Sequence, residues 1–325
     1  MAVINQDIIF YGSNVMPDDD TPTGIGGAIA LGVKPIFNSP AAGGTVQYVS
    51  SNAGDTTQTV TVSYLDANNA VQTEVKTLNG TTVVAGSATM KTLEKGIKSA
   101  STSGDVAVEA TTAERTGTAQ AGSATDITLD AGASAVDNAY RAMVLRITGG
   151  TGAGQIRDIL SYAGATKIAT VGRAWGTNPD ATSTFRVSRG FMFDKSPSEV
   201  TQVRRIFYNA QANASGGATK TYYEKIFVKN TNGSANLTSG QIALTDAVGV
   251  ITFGLPTTLD DTGSNGAGNR QSAPAGITFD AATKTMANSG TLTNGTAQGL
   301  WAKLTLPGGQ STLDTTFLLT AQGVV

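Results

Sequence analysis

The sequence has 325 residues, with 22 Lys and Arg against 24 Asp and Glu and a formal net charge of −2. A near-neutral chain has no long-range field to attract it to nucleic acid or to an anionic membrane. The absence of Cys and His excludes disulfides, metal sites built on thiolate or imidazole, and Ser-His-Asp triads.

Charged residues make up only 14% of the chain, against about a quarter in a typical protein. A weakly charged surface suits contacts with neighbouring subunits, because little charge has to be desolvated on docking. The same composition also fits any soluble β-protein with many turns. We expect a protein that is not an enzyme, with no catalytic residues, cofactor-binding residues or metal ligands, and no cofactor.

The sequence shows no sign of membrane targeting. No apolar run reaches the roughly 18–20 residues of a membrane-spanning helix. The first ten residues also lack a basic region followed by a long apolar stretch, so no signal peptide is expected. These observations predict folding in a cytoplasm, with neither a membrane nor nucleic acid as partner.

The first 110 residues divide into two predicted segments. Residues 1–40 are punctuated by Pro and Gly and are interpreted as an extended N-terminal arm that clasps a neighbouring subunit. Residues 41–110 are predicted to form a β-domain, since apolar and polar residues alternate with the period of a strand. Its predicted strands are Gly44–Ser50, Gln58–Leu65 and Ala70–Leu78, followed by a hairpin turn at Asn79-Gly80 and a short helix over Ala88–Ser99, which Gly96 weakens.

Residues 111–189 have a different texture and are predicted to form a small β-module inserted into the rest of the chain. Domain insertion is tolerated at exposed loops, and such a module would project as a knob. Its strands are separated by turns rich in Gly and Asn. We expect strands at Asp126–Asp130, Met143–Thr148, Ile156–Tyr162, Thr166–Val171 and Thr184–Ser188.

Residues 190–325 are predicted to form a C-terminal β-sandwich, because turn signals space the strands regularly. The stretch Asp260–Pro274 is expected to be an exposed loop. The fold class is therefore all-β, with antiparallel sandwich modules of jelly-roll or Ig-like type and an inserted small β-module. The predicted strands are Val203–Asn209, Thr221–Asn230, Val248–Leu255, Gly276–Asp280, Gly299–Leu306 and Thr315–Ala321, with a Gly- and Ala-rich loop at Ala210–Lys220.

The segment Gly149–Gln155 has the appearance of a phosphate-binding loop. A nucleotide P-loop needs Lys and then Ser or Thr after its last Gly, whereas Gly154 is followed by Gln155 and Ile156. The dinucleotide pattern fails as well, since it requires Gly at position 155. We therefore interpret the segment as a tight glycine turn between strands.

The acidic residues offer only weak candidates for chemistry. Asp18, Asp19 and Asp20 are consecutive and lack the alternation of an EF-hand loop, so a solvated loop is favoured over a Ca²⁺ site. The six glutamates are scattered, and no pair has a glycosidase setting. Lys95 and Lys98 lie near Ser99 without the context of a nucleophile.

Basic residues alternate with aromatic residues in one region, a pattern that can bind single-stranded nucleic acid by stacking. Core packing or a subunit interface is favoured instead, with Tyr223, Lys225 and Phe227 on a buried face and Glu224 and Lys229 facing water. The basic residues concerned are Arg204, Arg205, Lys225 and Lys229. Trp175 and Trp301 are interpreted as core anchors.

Several phrases resemble virion structural proteins of tailed bacteriophages. MPDDDT, SSNAGDTTQTVTV and LNGTT resemble the N-terminal part of these proteins, and VRRIFYNAQANASGGATKTYYEKIFVKNTNG, APAGITF and GLWAKLTLPGG resemble the C-terminal part. The run TGTAQAGSATDITLDAGASAVDNAY, with GGTGAGQIRDI and AWGTNPDATSTFRV, resembles a small β-module found in many phage structural proteins. The resemblance covers most of the chain, and its motifs belong to turns and strands rather than to a catalytic signature.

The resemblance implies a virion component, assembled in the cytoplasm of a host bacterium. Within the virion, we expect a capsid decoration or cement protein that cross-braces and stabilises the shell. Its expected partners are copies of itself, in a homo-oligomer that could be a trimer, and the major capsid protein or other virion proteins.

Three alternatives remain open at this stage. The first is a neck, collar, tail or baseplate accessory protein. The second is a glycan-binding spike or adhesin module, with Trp175 near Asn178 and Asp180 as its candidate pocket. The third is a polysaccharide depolymerase, which only the scattered carboxylates support.

Overall fold

The computed structural model describes residues 2–35, 38–210, 217–246, 249–309 and 317–324. Strands make up 46% of it and helix 2%, and the strands form several antiparallel sheets. The predicted all-β, antiparallel sandwich class is therefore confirmed. Within the described residues, helical structure is confined to a 3-10 turn at Asn5–Asp7 and a four-residue turn, α1, at Ala287–Gly290.

The strands are short and follow one another throughout the described parts of the chain. The first twelve are β1 (Ile8–Val15), β2 (Gly26–Ala30), β3 (Val33–Lys34), β4 (Val46–Ser50), β5 (Thr59–Leu65), β6 (Val71–Thr77), β7 (Val84–Ala85), β8 (Thr92–Lys98), β9 (Val106–Ala110), β10 (Arg115–Thr118), β11 (Ala121–Gly122) and β12 (Asp126–Thr128). The others are β13 (Val144–Gly149), β14 (Ile156–Ala163), β15 (Ile168–Val171), β16 (Thr184–Ser188), β17 (Gly190–Phe193), β18 (Gln202–Arg204), β19 (Lys220–Asn230), β20 (Thr238–Asp246), β21 (Ile251–Gly254), β22 (Lys284–Thr285), β23 (Ala297–Leu306) and β24 (Phe317–Val324).

The chain divides into two compact units, one of residues 1–35 and 206–325 and the other of residues 36–205. This division differs from the predicted boundaries at 40, 110 and 189. Instead of extending as an arm, the N-terminal segment contributes β1 to the first unit, where β1 pairs with both β19 and β2. Val3 and Tyr11 are buried in the same unit, so the segment packs within its own fold.

The first unit is a sandwich of two antiparallel sheets. One sheet has the order β2-β1-β19-β23-β21 and the other has the order β22-β20-β24. A core that includes Ile226, Leu300 and Phe253 from the larger sheet and Ile242 from the smaller one lies between them. Stacked sheets bury alternate side chains of each strand in this way.

The outer face of the larger sheet carries a buried lysine. The Lys225 Nζ donates to the carbonyl oxygens of Gly27, Asp261 and Gly263 at 3.0, 3.1 and 2.7 Å, and to the Asp261 carboxylate at 2.8 Å. Burial lowers the pKa of this ammonium, and the bond to Asp261 partly offsets that effect. The lysine can be fully buried because four oxygens replace the water around its charge.

The loop Asp260–Pro274 was expected to be exposed, and this expectation is wrong for much of its length. Lys225 holds Asp261 and Gly263, while Trp301, which is fully buried, donates to Asn265 Oδ1 at 3.2 Å. Ala267 and Arg270 in the same loop are also buried. No local pattern indicates this burial, because the loop is polar and its anchors lie in distant strands.

The second unit contains a sandwich and a further sheet. In the sandwich, the sheet β17-β9-β4-β7 faces the strands β18, β8, β5 and β6. The core between them is apolar and draws on both sheets. Its buried residues are Val46, Tyr48, Val60, Val62, Leu78, Met90, Leu93, Val106, Val108, Phe191, Phe193, Val200 and Val203.

The predicted helix over Ala88–Ser99 is wrong, since Thr92–Lys98 is strand β8, paired with β5 and β18. Gly96 gives the physical reason. A Cβ at this position would lie 2.2 Å from Cζ of Phe191, so the aromatic ring packs directly on the strand backbone.

The remaining sheet of the second unit lies wholly between Arg115 and Ser188, within the predicted module. Its order is β10-β16-β13-β14-β15-β12-β11, and it has a core of its own that includes Leu145, Phe185 and Trp175. The five predicted strands correspond to β12 to β16, in the order Asp126–Asp130, Met143–Thr148, Ile156–Tyr162, Thr166–Val171 and Thr184–Ser188.

Two predicted strands differ from the structure. The strand at Val203–Asn209 ends at Arg204, and Phe207 and Asn209 adopt φ values of 63° and 47° in a turn. Gly276–Asp280 forms only an isolated bridge, from Asp280 to Phe253. Parts of the predicted loop Ala210–Lys220 and of the predicted strands at Val248–Leu255 and Thr315–Ala321 lie outside the described residues.

Candidate functional site

Strand β9 joins the two parts of the second unit. Val106 and Val108 point into the sandwich core, whereas Ala107 belongs to a second apolar cluster with Val144 and Ile156 of the module sheet. Asp105 and Glu109 precede and follow Ala107 at strand spacing, so they lie on the same face. The face of β9 that meets the module therefore carries an alanine between two carboxylates.

Glu109 forms the first of two buried ion clusters at this junction. Its side chain is fully buried, and its Oε1 accepts bonds from Arg146 Nη2 at 2.7 Å and Gln47 Nε2 at 2.7 Å. Arg186 Nε lies 3.4 Å from the same oxygen. One carboxylate thus lies against two arginines of the module.

Asp105 forms the second cluster. Its Oδ2 accepts bonds from Arg157 Nη1 at 3.0 Å and from Arg173 Nη2, and its Oδ1 accepts the backbone N–H of Lys195 at 2.9 Å. Arg157 lies over the ring of Trp175, with 5.3 Å between the guanidinium carbon and the ring centroid. Burial and the neighbouring Arg173 lower the pKa of Arg157.

A cleft of about 290 Å³ opens beside Asp105. It lies where the end of the sandwich meets the turn between β13 and β14, and three cationic side chains line it against one carboxylate. The lining residues are Ser51, Ser103, Gly104, Asp105, Ala153, Gly154, Gln155, Arg157, Arg173 and Lys195.

The glycine-rich segment Gly149–Gln155 forms part of the wall of this cleft without acting as a phosphate cradle. The backbone N–H groups of Thr151, Ala153, Gly154 and Gln155 donate to protein oxygens, at 3.2, 3.2, 2.9 and 3.3 Å. These amides are therefore not turned toward a ligand. The arrangement agrees with a glycine turn between β13 and β14.

No sequence motif predicts this cleft. Its three cationic side chains are spread over 38 positions of the chain, from Arg157 to Lys195 (195 minus 157), and they follow no motif. A signal was present in Asp105–Glu109, where one face of an apolar strand begins and ends with a carboxylate. Two buried carboxylates at such positions require cations from elsewhere in the fold.

The acidic residues considered from the sequence are held by protein partners. Asp19 accepts bonds from the backbone N–H and the hydroxyl of Thr21, and these bonds lower its pKa. Asp20 accepts a bond from Gln271 Nε2 at 2.7 Å. Within the described residues, no group of three or more acidic side chains is placed to hold a metal ion.

Every glutamate also has an ionic or hydrogen-bond partner. The Lys98 Nζ donates to Glu199 at 2.8 Å, so this lysine does not form a dyad with Ser99. Ser99 instead accepts the backbone N–H of Thr59. The other glutamates contact Tyr48 and Ser87 (Glu74), Arg205 (Glu94), Arg146 (Glu109), Arg189 (Glu114) and Arg270 (Glu224).

The basic and aromatic residues around Arg204 and Lys225 do not form a basic surface. Arg204 and Lys225 are buried, and Arg205 contacts Glu94 at 3.1 Å. Tyr223, Lys225 and Phe227 are buried as predicted. The prediction that Glu224 faces water is wrong, since its side chain is 1% exposed and lies 3.7 Å from Arg270.

Trp175 and Trp301 are core residues, as predicted, with exposures of 6% and 0%. Trp175 therefore presents no open ring to a sugar. Asn178 and Asp180 are exposed, and Asp180 accepts bonds from the N–H and hydroxyl of Thr182. The pocket predicted for a glycan-binding module is not formed by these residues.

A second surface feature lies on the sandwich of the second unit. Val75 of β6 and Ile97 of β8 both pair with Thr61 of β5, so the three side chains form one row. Val71, Val75 and Ile97 are 38%, 56% and 36% exposed. We name this surface the Thr/Val face, consisting of Thr59, Thr61, Val71, Thr73, Val75, Thr77 and Ile97, with Lys95 at its border.

Neither of the two helical turns among the described residues could span a membrane. Comparisons with protein-family models, curated proteins and solved structures found no match to this chain. A function therefore has to be inferred from its own residues.

Proposed function

We propose that the chain is a structural subunit of a tailed-phage virion, acting as a decoration protein that binds the major capsid protein and cross-braces the shell. The resemblance of its sequence phrases to phage structural proteins supports this class. The observation that carries the docking role is the Thr/Val face, which has no charged residue apart from Lys95 at its border and exposes Val71, Val75 and Ile97.

Physical chemistry links this face to assembly. Docking removes water from a surface, and an uncharged surface gives up little hydration when it does so. Strand β6 lies at the edge of its sheet, so one side of its backbone is available to a neighbouring chain. Many copies bound to one lattice would favour the assembled shell by mass action.

Mass spectrometry of gradient-purified virus particles tests the virion role first. The chain should be present in many copies per particle, and its absence from purified particles would refute the proposal. Electron microscopy of the same particles then tests the location. Density on the capsid lattice supports decoration, whereas density confined to the neck, tail or fibres overturns it.

The docking face is tested by Val75→Asp, which places a charge at its centre. We expect this variant to lose binding to capsids that lack the native protein. Val136→Asp is the matched control, because Val136 is 67% exposed and lies outside the face. Equal binding by the two variants would assign docking to another surface.

A further inference from the structure

The cleft beside Asp105 suggests a ligand that the docking role does not require. Its lining sets Arg157, Arg173 and Lys195 against the single carboxylate of Asp105. Both oxygens of that carboxylate are already occupied, by the two arginines and by the Lys195 N–H. Asp158 and Asp194 also act on Arg157, and Glu199 pairs with Lys195, so Arg173 is the cation with most charge left for a further negative group.

Arg157 lines the cleft but uses its donors within the protein, so it has little left to offer a ligand. Its Nε donates to the carbonyl oxygens of Arg173 and Ala174 at 3.1 and 3.2 Å, and its Nη2 donates to Ala174 at 2.8 Å. Its Nη1 donates to Ile156 O at 2.6 Å as well as to Asp105. Stacking over Trp175 fixes the plane of the group.

Arg173 is not saturated in the same way. One Nη2 bond goes to Asp105, while its Nε is buried and has no hydrogen-bond partner among the described residues. The side chain is 25% exposed. An acceptor oxygen in the cleft can therefore reach the exposed edge of the Arg173 guanidinium, although not its buried Nε.

The rest of the lining suits a small polar ligand. Lys195 is 40% exposed, although its Nζ also contacts Glu199 at 2.9 Å. Gly154 leaves open space where a Cβ would lie. The volume of about 290 Å³ is at the small end for ligand pockets, so it fits a single compact group.

We propose that this cleft binds a compact oxyanionic group, a carboxylate, sulfate or phosphate, with Arg173 as its principal ligand and Lys195 as a second cation. The planar fork of an arginine matches the oxygens of such groups. The group could be a free ion or part of an acidic saccharide. The proposal is independent of the virion role.

Isothermal titration calorimetry on the full chain at low ionic strength tests the proposal. The probes are inorganic phosphate, sodium sulfate and sodium glucuronate, with glucose as the neutral comparison. We expect saturable 1:1 binding of at least one anion and none of glucose. Binding of phosphate or sulfate alone would indicate a free ion, and binding of glucuronate would indicate an acidic saccharide.

Arg173→Gln should weaken the binding about tenfold or more, as expected for the loss of a charge-assisted contact. Arg115→Gln is the matched control, since Arg115 lies on the same module and pairs with Asp130 instead of lining the cleft. Circular dichroism would establish that both variants are folded. No saturable binding by the wild type, or an equal loss in both variants, would overturn the proposal.

Discussion

Glu109→Gln should destabilise the junction within the second unit strongly. The substitution keeps the shape of the side chain but removes the one negative charge between Arg146 and Arg186. The Glu109 side chain is fully buried, and the two arginines are only 14% and 15% exposed. Removing one partner of a buried ion pair costs roughly 3–5 kcal/mol.

We expect a loss of about 3 kcal/mol, the lower end of that range, because the two guanidinium groups retain some contact with water. Hydrogen exchange followed by mass spectrometry would measure it in peptides from β9, β13 and β16. A loss of this size corresponds to roughly a hundredfold faster exchange through opening of the junction.

Glu114→Gln is the matched control for this experiment. It breaks the Glu114–Arg189 pair, whose side chains are 36% and 43% exposed, and exposed pairs contribute only about 0–1 kcal/mol. Adding Arg146→Met to Glu109→Gln should restore part of the lost stability. Equal losses of stability in the two glutamine variants would refute the view that burial makes the Glu109 ion pairs more stabilising than the exposed Glu114–Arg189 pair.

Three further predictions concern other parts of the structure. Burial raises the pKa of Glu199, but bonds from Lys98, Ser101 and Lys195 outweigh this and lower it below its ordinary 4.5; the stability that Glu199 adds is therefore complete above pH 4.5 and declines as the pH falls further. Urea unfolding of wild type and Glu199→Gln should show a gap that narrows below pH 4.5, and a gap that widens there would contradict this sign. Gly96→Ala should lower the free energy of unfolding by about 1–3 kcal/mol through overpacking against Phe191, whereas Gly233→Ala, with open space around it, should have little effect; similar losses would count against the packing argument. Lys225→Met should leave the oxygens of Gly27, Asp261 and Gly263 without their donor and speed hydrogen exchange in the loop 260–274, while Lys229→Met should not, and an unchanged loop would show that Lys225 does not anchor it.

Strands were predictable where apolar and polar residues alternate clearly and where the two faces of the strand have different surroundings. Residues 184–188 form β16 with the predicted bounds, because Phe185 and Val187 point into a core. The helix predicted around Gly96 failed because the strand is selected by packing against Phe191, a residue 95 positions away (191 minus 96). Long-range packing overrides local propensity in such cases.

The candidate site was less predictable than the fold. Asp105, Arg157 and Arg173 meet only when the module sheet packs on β9, and nothing local to any of them indicates the others. The loop 260–274 illustrates the same limit, since alternation predicts that Lys225 is buried but nothing in the sequence indicates that this loop supplies its acceptors. Buried ion pairs are decided by tertiary contacts, which a single sequence does not specify.

The module begins and ends at neighbouring points of one sheet. Ala110 N donates to Arg189 O at 2.7 Å, and β9 pairs with β17 immediately on either side of the module. Recombination could therefore replace everything between these two residues without rerouting the remaining strands. The arginine donors would be exchanged with it, so a successful replacement must bring its own cations to Asp105 and Glu109.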